Sequence, residues 1–429
     1  MEFDAKSAGK KFFYGWIIVA VATLALIVSN GLSIGGIPVF YKPIQEDLLL
    51  LGAVTPATAD RVTGDGASLT FVLAGLFSLI VGSLLTRFSL KRLMIVGCVF
   101  LGGGLAFYSR ATSAWEIYVS HSLLGLSLGL VGVMIQTVLV ANWFRRRRGT
   151  AMGIVLTGTS IGGVIIPIIS RPLIANYGWR TAMFLLSSIV WLVLLPAIAF
   201  LVKDRASDIG ESLDGDARGE PNIEREYQGG LALKEAALTS RFWILALCAA
   251  ALFYPIFTTS QQFVLHIQKS PSIAVDATTA SLAQSVLFAT SVGGKFLFGW
   301  LSDRLATTRV MLICCGVMFL ATLILLGFLS PGTVFLFLIP FGLGYGGTFV
   351  LIQLLAVEFF GLKDIGKIIG ALTVVETLGA ALGGMVTGRI AAAHGGDYTI
   401  AFYGVTIAAA VALLLVVLLN LVSKPTPTA

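Results

Sequence analysis

Charge is what this sequence has least of. Only 12% of its 429 residues are Asp, Glu, Lys or Arg, where an ordinary soluble domain carries about 25%. So thin a polar surface excludes a soluble enzyme, a disordered tail and a nucleic-acid binder. Acid is scarcer than base, 22 residues against 29, for a formal net charge of +7. In a chain this apolar the basic excess belongs to loops at a membrane face, so it implies no nucleic-acid partner. Cysteine is scarce as well. Cys98, Cys248, Cys314 and Cys315 all sit inside apolar stretches, at no metal-ligand spacing, and read as small buried residues. There is no Gly-rich phosphate loop ending in Lys-Ser/Thr, so nothing supports ATP drive. Neither an enzyme, a metal site nor a cofactor is implied.

What fills the chain instead is hydrophobic residues, 57% of the total, with 48 glycines. A helix needs about 20 apolar residues to cross a bilayer. The stretches between charges run 12–41, 66–86, 93–109, 117–144, 149–170, 181–202, 242–268, 277–302, 310–357, 368–388 and 398–423. The first is too long for a signal-peptide core and reads as the first span. The stretch 310–357 is too long for one helix and breaks at Ser330-Pro331-Gly332, a turn signal. Twelve spans are expected. Twenty-one of the 29 Lys and Arg then fall on one side and seven on the other, with Lys295 inside the membrane. That bias places both termini in the cytoplasm.

The longest hydrophilic segment, 203–241, carries nine of the 22 acidic residues and reads as a flexible cytoplasmic linker with a short surface helix at 231–239. It separates an N-terminal half, 1–202, from a C-terminal half, 242–429. The halves are related by a repeat. Gly82-Ser-Leu-Leu-Thr-Arg87-Phe-Ser-Leu-Lys91-Arg92-Leu-Met94 matches Gly299-Trp-Leu-Ser-Asp303-Arg304-Leu-Ala-Thr-Thr-Arg309-Val-Met311 at an offset of 217 residues. The same offset aligns Gly149 with Gly366, Gly153 with Gly370 and Gly162 with Gly379. Repeated six-helix halves are a transporter architecture.

On these residues the chain resembles the major facilitator superfamily over essentially its whole length. The resemblance implies an all-α membrane protein of twelve transmembrane helices in two six-helix halves. The loops after spans two and eight are similar to that superfamily's Gly-x-Leu-x-Asp-Arg signature, which implies a gating role for Gly82, Arg87, Gly299, Asp303 and Arg304. The first copy departs from it: Thr86 replaces the acid and Ser89 replaces the later Gly. If Asp303 pairs with helix ends at the cytoplasmic face, as the resemblance implies, the N-half latch is expected to be weaker. Tyr14-Gly15-Trp16 and Ile37-Pro38-Val39-Phe40-Tyr41 resemble the bacterial monocarboxylate and oxalate/formate branch, which usually carries Arg at the place of Lys295.

A charge near the bilayer centre costs roughly 2.5–3.5 kcal/mol on insertion scales and needs a reason. Two such charges stand out. Lys295 lies eight residues inside Asp303, about 12 Å from the membrane edge at ~1.5 Å per residue. It shares a face with Ser291 and Gln284, which reads as cavity lining. Its ammonium is expected to hold a substrate anion. A structural ion pair with Glu376 and a snorkelling lysine are the open alternatives. Glu376 lies midway along 368–388 with Thr373 and Thr377 beside it. Burial favours the neutral form of a carboxyl, so it is the expected proton-coupling site, against a satisfied polar residue. An acid here, where a dianion would want a second cation, argues for a monoanion.

Tyr345, Tyr254 and Asn30 are further candidates to line the pocket, each as readily explained by helix packing. Ser33 and the less central Gln136 are open between the same two readings, while His121, His266 and His394 read as structural. The run Arg145 to Arg148 is a topology signal that can also meet anionic lipid headgroups. The expected function is secondary transport of a small organic monocarboxylate with a proton, in the plasma (inner) membrane, by alternating access. The alternatives are organic anion exchange without a proton, proton-driven efflux of lipophilic cations or drugs, and a membrane sensor on a transporter fold. The partners are the small organic anion, the proton and membrane lipid.

Overall fold

The computed structural model describes residues 13–215, 229–269, 273, 275–394 and 397–423. Among the described residues the regular elements are helices, and one isolated backbone bridge joins Gly230 to Gly361. Ten helical stretches are long and apolar enough to cross a membrane. Spans one to four are Gly15–Gly35, Val62–Leu84, Leu90–Tyr108 and Ala114–Ala141. The next stretch, Arg148–Leu201, has 54 residues, about 80 Å of helix against a hydrocarbon core of ~30 Å. It breaks at Gly178, whose φ of 76° and ψ of 161° suit only glycine. Residues 148–177 and 179–201 are therefore spans five and six. Span seven is Ser240–Gln268. Span eight, Ala277–Ser302, has 26 residues and packs between spans five and ten. Spans nine to twelve are Thr307–Leu325, Val334–Phe360, Ile365–Ala391 and Thr399–Val422. Among the described residues the count is twelve, and the ends agree with the sequence reading to within seven residues, the largest difference being span five, which runs on to 177 rather than ending at 170.

One stretch ends early. Span one closes in a π-helical turn, Gly31–Gly35, and a separate helix, Pro38–Leu50, follows it. Pro38 has no N–H to continue the ladder, so the chain starts a new helix there. That helix is anchored by an ion pair between Asp47 and Arg180, and Arg180 Nη2 also donates to the Ala111 carbonyl at 2.7 Å.

The opposite face of the molecule carries the Lys/Arg-rich loops and is called here the basic face. Carboxylates cap its helix ends, where unpaired N–H groups and the helix dipole favour an anion. Asp204 accepts from the N–H groups of Leu90 and Lys91, at 3.1 and 3.0 Å. Asp214 accepts from those of Arg145, Arg146 and Arg147, at 3.0, 2.7 and 3.2 Å. Asp364 accepts from Leu233 N at 3.2 Å. Three of these bonds to Asp214 and two to Asp204 come from within the segment expected to be a free linker. Its described parts, 203–215 and 229–241, are instead docked, because their acids and backbone satisfy helix ends. The short helix in it is Leu233–Ala237. Residues 216–228, and with them part of the linker, lie outside the described residues, as do Lys6, Lys10, Lys11 and Lys424 of the topology count.

The repeat has a direct structural meaning. Span five crosses span eight, and its image, span eleven, crosses span two. At each crossing the backbones meet with no side chain between them. A Cβ on Gly149 would overlap the Gly299 carbonyl, and one on Gly82 would lie 2.5 Å from that of Gly366. A Cβ on Gly153 would lie 2.6 Å from the Lys295 carbonyl oxygen, and one on Gly370 would lie 2.7 Å from that of Ser78. Each pair is the other shifted by 217 residues. Small residues allow this close approach inside a membrane. The two crossings are the boundary between the halves on the basic side.

Candidate functional site

Lys295 is placed by its own backbone. Its peptide is pressed between Gly153 of span five and Gly346 of span ten, and a Cβ on Gly346 would lie 2.8 Å from the Lys295 nitrogen. From there the side chain crosses to the other half. Nζ donates to Thr159 Oγ1 and to Ser160 Oγ, both at 2.6 Å. Ser160 Oγ is 3.0 Å from Ser291 Oγ, so Ser291 extends the same polar thread back into span eight. The Nζ atom lies 5.8 Å from the ring centre of Tyr345 and 5.5 Å from that of Phe349, within cation–π range. The lysine is 1% exposed. Among the described residues its partners are all neutral: two hydroxyls and two rings. A buried charge solvated only by neutral groups attracts an anion strongly, because nothing nearby screens it.

Glu376 does not pair with it. Among the described residues no ion pair joins the two, and Glu376 Oε1 is buried with no hydrogen-bond partner. The residue is 5% exposed. Its neighbour Thr377 donates to Thr373 O at 2.8 Å and faces Gly75 of span two. The repeat explains the separation. Shifting by 217 residues carries Thr159 onto Glu376, Ser160 onto Thr377, and Ser78 onto Lys295. The two mid-membrane charges thus stand in the two image crossings, one in each. Ser78 donates to Gly370 O at 3.1 Å, across the second crossing.

The other expected lining residues are spread out. Tyr345 is beside Lys295, as described. Gln284 donates to Ser260 O of span seven at 2.8 Å. Asn30 contacts Ser29 Oγ at 3.4 Å within its own helix, just before the π turn. Tyr254 directs its hydroxyl at Gly404 of span twelve. Its neighbour Phe253 is the residue that packs on Phe349, ring centres 4.9 Å apart. His121 is buried, with Nδ1 2.8 Å from Thr70 Oγ1 and Nε2 3.2 Å from the Tyr108 hydroxyl. His266 stacks on Phe402, and His394 lies 2.8 Å from Ile390 O.

At the basic face, Asp303 accepts from Gly149 N at 2.7 Å, Thr150 N at 2.8 Å and Thr150 Oγ1 at 2.5 Å. Burial pushes its carboxyl above the ordinary carboxylate value, while these bonds pull the other way. Gly299 and Gly82 are the contact points of the two crossings. Arg304 lies over the Trp300 ring at 4.0 Å, and Arg87 is exposed. In the image position Thr86 has no carboxylate to offer, and its hydroxyl donates to Ser83 O of its own turn. Beside it a cleft of about 540 Å³ opens, lined by Thr86, Ser89, Arg205, Lys363 and Gly366 among others.

Sequence reasoning missed Thr159, Ser160 and Thr150, three hydroxyls that make contacts between the halves. The offset of 217 was the available signal, since it sets Thr159 and Ser160 opposite Glu376 and Thr377. It also aligns Gln136 with Gln353, both buried with an unpaired amide oxygen, and Pro38-Val-Phe40 with Pro255-Ile-Phe257. Arg148 was one of a basic run. It is buried and donates from Nε to Phe144 O at 3.1 Å, while Arg145 to Arg147 are exposed.

The amino-acid sequence of the two halves is matched by a known family profile. The Major Facilitator Superfamily profile fits residues 19–275 and 264–429. The chain belongs to the major facilitator superfamily. Its structure is similar to that of the proton:xylose symporter XylE, with a TM-score of 0.76 at 13% identity over 94% of both chains. In sequence it is 28% identical to the MFS transporter asaE of Aspergillus flavus, over 75% of this chain and 69% of that one. It is 25% identical to Monocarboxylate transporter 12 of Xenopus laevis, over 74% and 71%. It is also 25% identical to the riboflavin transporter MCH5 of Saccharomyces cerevisiae, over 88% and 72%. This major facilitator is a multi-pass membrane transporter of small molecules.

Proposed function

We propose that this transporter moves a small organic monocarboxylate together with one proton, with its basic face and both termini in the cytoplasm of the plasma (inner) membrane. The observation that carries the reading is the Lys295 ammonium at mid-membrane with neutral partners only. The similarity to a monocarboxylate transporter supports the same substrate class.

The geometry suggests how substrate and conformation are coupled. Without substrate, Lys295 satisfies its N–H groups on Thr159 and Ser160, which belong to the other half. Opening the basic face separates spans five and eight and would strand those N–H groups in an apolar interior. A buried charge left without partners is costly. A carboxylate bound to Lys295 takes over from the two hydroxyls and removes that cost. Glu376, in the image crossing, takes the proton. A monoanion moving with one proton is electroneutral, so a membrane potential of about 2.3 kcal/mol per charge per 100 mV does not oppose uptake.

Proteoliposomes under an imposed pH gradient test this with lactate, pyruvate, acetate and benzoate. Accumulation of one or more of these acids is expected, and its loss in Lys295→Ala. No accumulation of any of them defeats the reading. A second reading, efflux of a lipophilic cation held at Glu376, is favoured by that residue's unpartnered oxygen. It requires that carboxylates fail to compete.

A further inference from the structure

From Lys295 a row of aromatic rings leads away toward the other half. Tyr345 and Phe349 flank the ammonium, their ring centres 5.4 Å apart. Phe288 of span eight closes one end, 6.3 Å from Tyr345. Phe349 packs on Phe253 of span seven at 4.9 Å, and Phe253 stacks on Phe257 at 5.8 Å. Phe257 then meets Phe71 of span two edge-on at 6.1 Å. That last contact crosses between the halves, and among the described residues it is the ring–ring contact that does so. Four different spans supply the six rings.

Five of the six rings are only half-buried, although each packs on another ring. They therefore border open space rather than solid core. The row begins at a buried ammonium and ends on a contact between the halves, so it runs through the interior rather than along the lipid face. Charge and rings adjoin with no polar step between them, since Nζ is within 6 Å of both Tyr345 and Phe349.

We infer that the carboxylate this site takes carries an aryl group. This rests on the monocarboxylate reading and narrows it. The carboxylate meets Lys295, and the aryl ring lies among Tyr345, Phe349, Phe253 and Phe257, edge-to-face or offset as aromatic pairs prefer. A one- or two-carbon acid fills only the ammonium end and leaves the ring surfaces unused. Aromatic pairs contribute a few-fold to about tenfold each in binding beyond simple burial. The contact between Phe71 and Phe257 then closes over the ring end of the substrate.

The purified full-length transporter, reconstituted in proteoliposomes and preloaded with benzoate, tests this by counterflow of labelled benzoate. Unlabelled phenylacetate, benzoate, cyclohexanecarboxylate, propionate and acetate are the competitors. Benzoate and phenylacetate are expected to compete at least tenfold better than acetate and propionate, and several-fold better than cyclohexanecarboxylate. Phe349→Leu, which keeps an apolar side chain but removes the ring, is expected to cut the benzoate-to-acetate affinity ratio at least fivefold. Phe257→Leu gives the same readout if Phe349→Leu does not fold. Equal competition by acetate and benzoate, or an unchanged ratio in both variants, overturns the aryl assignment while leaving the monocarboxylate reading in place. If no acid on the list competes and Lys295→Ala changes nothing, both readings fall.

Discussion

The Lys295 ammonium donates to the Thr159 hydroxyl across the boundary between the halves, at 2.6 Å, and Thr159 is the repeat image of Glu376. One crossing therefore holds a tethered cation facing a neutral hydroxyl. The other holds a carboxyl at the image place of Thr159, and at the image place of Lys295 it holds Ser78, a residue with no charge to give. The asymmetry is chemical, laid over a backbone that is nearly symmetric. It keeps the two charges from neutralising each other, and in the proposed mechanism it gives the anion to one crossing and the proton to the other.

Lys295→Met is expected to keep the fold and to unfold at the same temperature or higher. An apolar chain of similar length replaces a buried charge whose desolvation opposed stability. Carboxylate binding is expected to fall 30- to 150-fold, the equivalent of about 2–3 kcal/mol for a charge-assisted hydrogen bond. Thermal-shift titration with benzoate reads both effects at once. A strongly lowered melting temperature would instead mark Lys295 as a structural residue.

Glu376→Gln is expected to leave anion exchange within a few-fold of the unaltered protein and to abolish accumulation driven by a pH gradient. Gln keeps the shape and cannot carry the proton. Counterflow and gradient-driven uptake in the same vesicles separate the two. Equal loss of both would place Glu376 in packing or substrate binding rather than in coupling.

Thr86→Asp restores a carboxylate at the image of Asp303. It is expected to accept from the N–H groups of Gly366 and Lys367, as Asp303 accepts from Gly149 and Thr150. The closed basic face then gains about 1–3 kcal/mol, and transport slows several-fold. Asp303→Asn acts in the opposite sense and opens that face. Spin labels on Arg146 and Arg304 measure the separation: shorter and more uniform in Thr86→Asp, longer in Asp303→Asn. The same distances in both variants would remove the latch role from these positions.

The twelve spans were legible because charge is rare enough for its positions to mark the loops. Lys295 and Glu376 were legible for the same reason. Their failure to pair was not, because it depends on which half each helix faces. The row of rings was not legible either. Phe71, Phe253, Phe257, Phe288, Tyr345 and Phe349 come from four spans, and aromatic residues in an apolar helix carry no mark of which face they occupy. The docked parts of 203–241 escaped notice because hydrophilic composition describes solvation and is silent on which helix end an aspartate will cap. Asp204 and Asp214 show the difference.

The way that segment is fastened has one more consequence. Residues 203–215 are clasped to the first half, through Leu90, Lys91, Asn142, Trp143 and the backbone of Arg145 to Arg147. Residues 229–233 are clasped to the second half, through Phe360, Leu362 and Asp364. Each half thus brings its own fastening. Two separate genes, divided between 216 and 228, would each encode a half that carries its own fastened end, and the pieces would meet through the glycine crossings, the Lys295 and Asp303 hydrogen bonds and the contact between Phe71 and Phe257.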